Sequence, residues 1–448
     1  MIPDTVVEEV RERVDIVAAI GRVVQLRKEG AAFVGRCPFH EEKTGSFKVF
    51  PDSKRFKCFG CGAGGDVFEF FRKLEGRSFP VILRTLAAGV GVDVPDRELT
   101  PAQKRAFGER AALHSAVAAA AEHWSANLWG APGAKAREYL ASRGLRDDTL
   151  RAFRIGYAVA DWHDLHKAIR ARGGAVTDFQ RAGLLVDTGD YLKTYDRFRD
   201  RIIFPFAGAD GQVLGFGGRS LTSTTSTSPG PKYLNGPETP LFKKSRVLFG
   251  IERARDTIRR TRSAILVEGY VDVLMLHQAG FPGTVGACGT ALTEEHVELL
   301  RRCGCEQVTL LFDGDAAGAA APTEAGRALL RAGLEGRVAQ LPGHVDPDEF
   351  VRAKGRAALE ALLAAAVPLT EFLLEYFTRR RCPDGATYSS AEQRLRAVRD
   401  LTPYVAASGD EAFRTLLLKR IARKFELDIG VLRAEVSRVQ PHQRSLAR

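Results

Sequence analysis

Short apolar runs that stop at acidic residues organise the middle of the chain. Ala264, Ile265, Leu266 and Val267 lead straight into Glu268 and Gly269, and Val308 to Phe312 lead into Asp313, Gly314 and Asp315. Each run is too short for a buried helix and rich in β-branched and large apolar residues, which predicts strands of a parallel sheet buried on both faces. Helix-compatible sequence follows each run, from Tyr270 to Gln278 and from Ala316 onward. Gly283 to Ala287 and Arg337 to Leu341 are further strand candidates, and Thr293 is an N-cap ahead of Glu294 and Glu295. The last strand leads to Asp346 and Asp348, a second acidic pair at the same sheet edge. Carboxylates thus gather at the carboxyl ends of strands, where open α/β sheets bind ligands. Crowded there they repel one another, and a divalent cation relieves the repulsion; Mg²⁺ also keeps positions open for substrate phosphates.

The first 90 residues carry a different pattern. Thr5 to Ile20 has helical apolar spacing through Val6, Val10, Val14 and Val17. Cys37-Pro-Phe-His40 is followed after seventeen residues by Cys58-Phe-Gly-Cys61, two knuckles that make a Cys₃His zinc site with no vacancy, structural rather than catalytic. Between them, Ser46 to Phe50 and Arg55 to Phe59 alternate with the period of strands and interleave phenylalanines with Lys48, Lys54, Arg55 and Lys57. One face of such strands suits single-stranded nucleic acid, and the other supplies the module's core. Asp66 is expected to cap a helix through Leu74, and Phe79 to Ala88 to form another. Val94 to Pro101 reads as a linker, and a long helix from Pro101 to Leu128 ends at Gly130-Ala-Pro-Gly133.

With 448 residues the chain predicts two or three domains. A formal charge of +11 and a pI near 9.4 favour a polyanionic partner, nucleic acid ahead of membrane. No apolar run of transmembrane length occurs, and Met1-Ile-Pro-Asp4 does not resemble a signal peptide. Seven cysteines in unequal clusters argue against a disulfide framework and for a reducing, cytoplasmic setting. From Lys193 to Arg246, nine basic residues face four acidic ones, immediately before the acidic strand ends. Here Tyr195 to Arg201 precedes a strand from Ile202 to Phe206, Asp210-Gly211 signals a hairpin, and Gly215-Phe-Gly-Gly218 is a weak phosphate-loop signal. A basic region beside a carboxylate cluster is what phosphoryl transfer on polynucleotides needs.

Strand-Glu-Gly followed by strand-Asp-Gly-Asp resembles the topoisomerase-primase (toprim) fold. That resemblance implies Glu268, Asp313 and Asp315 as the set binding magnesium or manganese, with Asp272, Asp346 and Asp348 as helpers. With the zinc ribbon and basic region, residues 1 to 435 resemble a bacterial DnaG-type primase. The fold class expected is multidomain α+β: a zinc ribbon (1–94), a linker (95–105), a mixed α/β basic subdomain (106–250), a toprim α/β fold with a parallel sheet (251–365) and a helical bundle (366–440). Arg197, Arg199, Arg201, Arg219, Lys232, Tyr233, Asn235 and Lys244 would line the template and nucleotide path. The implied activity is synthesis of short RNA primers from ribonucleoside triphosphates on single-stranded DNA, in the cytoplasm at the replisome on the nucleoid.

Two departures stand out. Leu221 to Pro229 is a Ser/Thr tract, and the chain ends without apparent room for the domain that binds the replicative helicase, so that partner's binding domain is expected to be missing. Three other readings remain. A type IA topoisomerase is expected to carry a third acidic residue where Ala317 stands. A toprim nuclease would cut DNA and ignore nucleotides. A zinc- and toprim-bearing recombination mediator would bind DNA without catalysis.

Overall fold

The computed structural model describes residues 4–40, 42, 45–94, 101–189, 194–221, 231–312, 321–343, 345–386 and 389–445. Of the features expected above, Asp313 and Asp315, most of the linker and most of the Ser/Thr tract lie outside these residues. The chain divides into two compact units, Met1–Arg105 and Ala106–Arg448.

The first unit opens with two helices, Asp4–Arg13 and Ile16–Gly21, where apolar spacing predicts one. The break comes at Asp15, whose carboxylate accepts from Val17 N at 2.8 Å and Ala18 N at 3.1 Å and so caps the second helix. A five-stranded antiparallel sheet follows in sequential order: Arg27–Glu29, Ala32–Gly35, Phe47–Phe50, Arg55–Cys58 and Gly64–Gly65. Its inner face carries Phe47 and Phe56, stacked at 5.3 Å and packed against Phe70 of the helix Val67–Glu75. On the outer face Lys48 lies directly across from Lys57, and the like charges are relieved within the module: Lys48 Nζ pairs with Glu29 at 3.3 Å and Lys57 Nζ donates to Gly62 O at 3.2 Å. Asp66 caps Val67–Glu75 through Glu69 N.

In the second unit a four-stranded antiparallel sheet runs in the order Tyr233–Asn235, Val213–Ser220, Arg201–Ala207, Gly156–Ala158. Every residue of Arg201–Ala207 is buried, because the strand lies between two clusters: Ile203 packs in one with Trp124 of the helix Pro101–Trp129, and Ile202, Phe204 and Phe206 in another with Phe249 and Tyr270. The glycine run Gly215 to Gly218 lies within Val213–Ser220. A Cβ on Gly215 would come 2.5 Å from the Phe242 ring, and one on Gly217 would overlap the Tyr270 hydroxyl. Close packing of aromatics, rather than a phosphate loop, therefore accounts for these glycines.

The second sheet has the order Thr284–Gly286, Ser263–Val267, Gln307–Phe312, Glu335–Gln340, Val367–Pro368, parallel except for the last strand. Helices Ile251–Thr261, Tyr270–Gln278, Glu294–Arg302, Ala321–Ala332 and Pro347–Ala364 connect and cover it. Thr293 caps Glu294–Arg302 as expected, accepting from His296 N at 3.1 Å. The chain then forms helices Leu369–Arg381, Ala391–Ala407, Glu411–Phe425 and Ile429–Ser445. A single helix is predicted from Glu411 to Val439, but Glu426 turns left-handed (φ 53°) and Asp428 accepts from Gly430 N at 2.7 Å, splitting it. Among the described residues no helix is long and apolar enough to cross a membrane.

Candidate metal centres and nucleic-acid interface

Both zinc knuckles sit on hairpin turns of the first sheet, and their donor atoms converge. Cys37 Sγ is 3.8 Å from Cys61 Sγ, Cys58 Sγ is 3.9 Å from His40 Nδ1, and all four donors lie within 4.8 Å of one another. Zinc–sulfur bonds of about 2.3 Å in a tetrahedron set sulfur atoms roughly 3.8 Å apart, so donor set and spacing fit a closed structural zinc site. Glu42 supports it: Oε1 accepts from Cys37 N at 2.7 Å, and Oε2 lies 3.4 Å from His40 Nε2, orienting the ring. Burial pushes the Cys37 thiol up to about 12. Burial also opposes ionisation of Cys58, but hydrogen bonds from Ser46 and from the backbone of Cys61 and Gly60 outweigh it and bring this thiol down to about 6.

At the second sheet, Glu268 follows the strand Ser263–Val267, half-buried, with its carbonyl accepting from Cys288 N at 2.9 Å. The neighbouring strand, Gln307–Phe312, runs in register with Leu266 opposite Leu310 and leads directly to Asp313. Asp346 is the half-buried N-cap of Pro347–Ala364. Asp272 and Asp348 are buried. Asp272 accepts from Gly269 N at 3.1 Å through Oδ2 and from Asp348 N at 3.1 Å through Oδ1. One side chain thereby ties together the starts of the two helices that follow Glu268 and Asp346. Asp348 is in turn paired with Arg143, whose Nη2 lies 2.6 Å from its Oδ2.

Sequence reasoning missed Arg143. It closes the helix Ala134–Ser142, where an arginine reads as a solvated charge complementing the helix dipole, and its partner is 205 residues away.

Of the expected basic residues, Arg219, Lys232 and Tyr233 come together. The Arg219 guanidinium stacks over the rings of Tyr139 at 4.6 Å and Tyr233 at 5.6 Å, and Lys232 Nζ lies 5.7 Å from the Tyr233 ring. Burial raises the Tyr233 hydroxyl pKa, while Arg219 and Arg143 act to lower it and Asp272 and Asp348 to raise it, which places this cluster within reach of the acidic strand ends. Tyr139 Oη, Arg143 Nε and Arg219 Nη1 are buried without a hydrogen-bond partner among the described residues, three donors suited to anionic oxygen atoms. The others diverge. Arg201 is buried and donates to Pro231 O at 2.9 Å; Arg197 donates to Gly183 O at 2.7 Å; Arg199 stacks on Trp162. Asn235 donates to Cys288 O at 2.8 Å and accepts from the Tyr270 hydroxyl. Lys244 is half-exposed, its carbonyl accepting from His296 Nε2 at 2.7 Å.

Fold and site define a toprim protein preceded by a zinc ribbon. Family models match along the chain: CHC2 zinc finger at residues 2–101, DNA primase catalytic core, N-terminal domain at 123–255, Toprim-like at 265–351, and DnaB-helicase binding domain of primase at 370–430. A DNA primase of Myxococcus xanthus is 39% identical over 426 residues, covering 95% of this chain and 68% of the relative. The crystal structure of the Aquifex aeolicus primase (zinc binding and RNA polymerase domains) superposes with a TM-score of 0.61 at 30% identity, covering 95% of this chain and 98% of that one. A DnaG primase catalytic domain bound to single-stranded DNA gives a TM-score of 0.63 at 32% identity, over 72% of this chain and 99% of that one.

The chain belongs to the bacterial DnaG-type DNA primases, which are DNA-directed RNA polymerases and so nucleotidyltransferases. One expectation is overturned. The helicase-binding domain is not missing, because the model of that description matches residues 370–430. Length alone suggested its absence, and the helices Leu369–Arg381, Ala391–Ala407 and Glu411–Phe425 were there to be assigned to it.

Proposed function

We propose that Glu268, Asp313 and Asp315 hold Mg²⁺ or Mn²⁺ at the ends of two neighbouring parallel strands, and that primer synthesis takes place there. The observation that supports this reading is the parallel register of Ser263–Val267 with Gln307–Phe312, whose carboxyl ends, the points from which the chain continues to Glu268 and Asp313, lie side by side. All the donors are hard carboxylate oxygens, the chemistry these cations take. When bound, the cation supplies charge stabilisation to the α-phosphate and leaving pyrophosphate of a ribonucleoside triphosphate. Asp272 fixes the two helix starts beside Glu268 and Asp346, and Asp348 anchors Arg143 against that edge. Arg219, Lys232 and Tyr233, with the orphaned donors of Tyr139 and Arg143, face the triphosphate. Arg197, Arg199, Arg201, Asn235 and Lys244 shape the template side, partly by holding the backbone in place.

The zinc ribbon (1–94) holds template, the basic (106–250) and toprim (251–365) subdomains form the polymerase, and the helices beyond contact the replicative helicase, which places the protein at the replisome. Incubation with a single-stranded template, Mg²⁺ and labelled ribonucleotides should yield short RNA that disappears with Asp313→Ala. RNA synthesis unaffected by Asp313→Ala and Glu268→Ala would overturn the assignment of the metal set.

A further inference from the structure

The turn that carries Arg143 is held from behind by a single amide. Arg143 closes the helix Ala134–Ser142, and Gly144, Leu145 and Arg146 follow before the helix Asp147–Ala152 begins. Gln278, the last residue of the helix Tyr270–Gln278, spans that turn. Its Nε2 donates to Gly144 O at 2.8 Å, and its Oε1 accepts from Arg146 N at 2.8 Å and from Thr149 Oγ1 at 3.1 Å. A side-chain amide used in this way satisfies a carbonyl and the N–H two residues further on, as a residue of a paired parallel strand does. Gly144 is left-handed (φ 79°), and a Cβ there would come 3.2 Å from the Arg352 side chain and 3.4 Å from that of Met275, so the turn packs closely on the helices bearing both. Arg352 also donates to Ser142 O at 3.3 Å, one turn along the helix Pro347–Ala364 from the Asp348 that pairs with Arg143. The two helices that begin beside Glu268 and Asp346 therefore hold the backbone on both sides of Arg143, and of these contacts only Gln278 makes three hydrogen bonds.

We propose that Gln278 is a positioning residue for the incoming nucleotide: it fixes the backbone from which Arg143 presents its guanidinium to the triphosphate. The contact of Arg143 Nη2 with Asp348 holds one end of a long side chain and leaves its direction to be set by the backbone beneath it. Arg143 Nε is buried without a hydrogen-bond partner among the described residues, so its aim decides whether an anionic oxygen can meet it. Hydrogen bonds that order the turn before the nucleotide arrives spare binding that entropy, and a small misplacement of such a group is costly. The proposal rests on the polymerase reading above, which supplies the triphosphate that Arg143 faces.

The test uses the full chain in steady-state primer synthesis with the ribonucleotide concentration varied, and inorganic tripolyphosphate as a competitor that offers the phosphate chain alone. Gln278→Met keeps the length and apolar stem of the side chain and deletes the amide. It should raise KM for ribonucleotides and Ki for tripolyphosphate together, about 5- to 20-fold, with kcat held within about twofold, the pattern of lost ground-state binding. Arg143→Met should raise both about 10- to 100-fold, as loss of a hydrogen bond to a charged group does. Adding Gln278→Met to Arg143→Met should change KM by less than about twofold, because the amide acts only through the arginine. An unchanged KM in Gln278→Met overturns the proposal, as does a fall in kcat at constant KM or a full further rise of KM in the double variant. If Gln278→Met does not fold, Gln278→Glu carries the test: it keeps the accepted bonds but sets a carboxylate against Gly144 O, so KM should still rise, and a wild-type KM overturns the proposal. The two readings fail differently. An unchanged tripolyphosphate Ki in Arg143→Met defeats the placement of Arg143 at the triphosphate, whereas a raised Ki there with an indifferent Gln278→Met defeats only the role of Gln278.

Discussion

The pairing of Arg143 with Asp348 should be the most costly single interaction to break near the acidic edge. Arg143→Met removes a guanidinium nitrogen 2.6 Å from a carboxylate whose side chain is 2% exposed, while keeping most of the arginine's apolar stem. Stripping a buried charge of its partner costs about 3–5 kcal/mol. Arg143 is itself 24% exposed, so water can approach the vacated side, and the lower end of that range is expected. Asp348→Asn should cost less, about 1–2 kcal/mol, because the stranded arginine can turn to solvent and the backbone bond to Asp272 survives. The double variant should fall short of the sum by about 2 kcal/mol, the coupling between groups in direct contact. Urea unfolding followed by tryptophan fluorescence reads this out, since the three tryptophans, Trp124, Trp129 and Trp162, all lie in the second unit. Primer synthesis should drop in both single variants, because the link from Arg143 through Asp348 to Asp272 fixes the helix starts beside the proposed metal ligands. Additivity within about 0.5 kcal/mol would refute the pairing as a structural unit.

Burial raises the Asp196 carboxyl from 3.8 to about 6, against the backbone N–H groups of Leu165 and His166 that favour its ionised form. A raised folded-state pKa contributes stability that is complete below about pH 4 and lost as pH climbs through about 6; at 1.36 kcal/mol per unit the upper limit is about 3 kcal/mol. Thermal melts of Asp196→Asn should therefore vary less with pH between 4 and 7 than those of the wild type, and an identical pH profile would count against a buried titrating carboxyl. Chelation should release one zinc per chain and unfold the Met1–Arg105 unit, as judged by near-ultraviolet circular dichroism, with Cys58→Ser behaving alike. A retained spectrum after zinc release would show that the sheet and its phenylalanine core stand without the metal.

Local chemistry was the legible part of this chain. The strands ending at Glu268 and Asp313, the Thr293 and Asp66 caps and the two zinc knuckles are all specified by residues within a few positions of one another, and their types suffice. Asp15 and Glu426 break helices inside stretches whose apolar spacing continues unbroken, so periodicity passes over them. Pairings across the fold were invisible: Arg143 finds Asp348, and Trp162 finds Arg199, only because separate elements meet. Arg201 shows the converse, a cation in a basic run whose guanidinium is spent on Pro231 O inside the protein. The glycines at 215 and 217 misled in the same way, since what they accommodate is Phe242 and Tyr270.

Tyr270 sits one residue beyond the Glu268-Gly269 turn, stacked on Phe204 at 4.5 Å, wedged against Gly217 and bonded to Asn235. This bolt joins the cationic sheet to the acidic one with no room for a side chain between them. The spacing of the two sheets at this seam is consequently fixed by ring packing and one hydrogen bond. A larger side chain at Gly217 would have to push the two sheets apart before it could be accommodated.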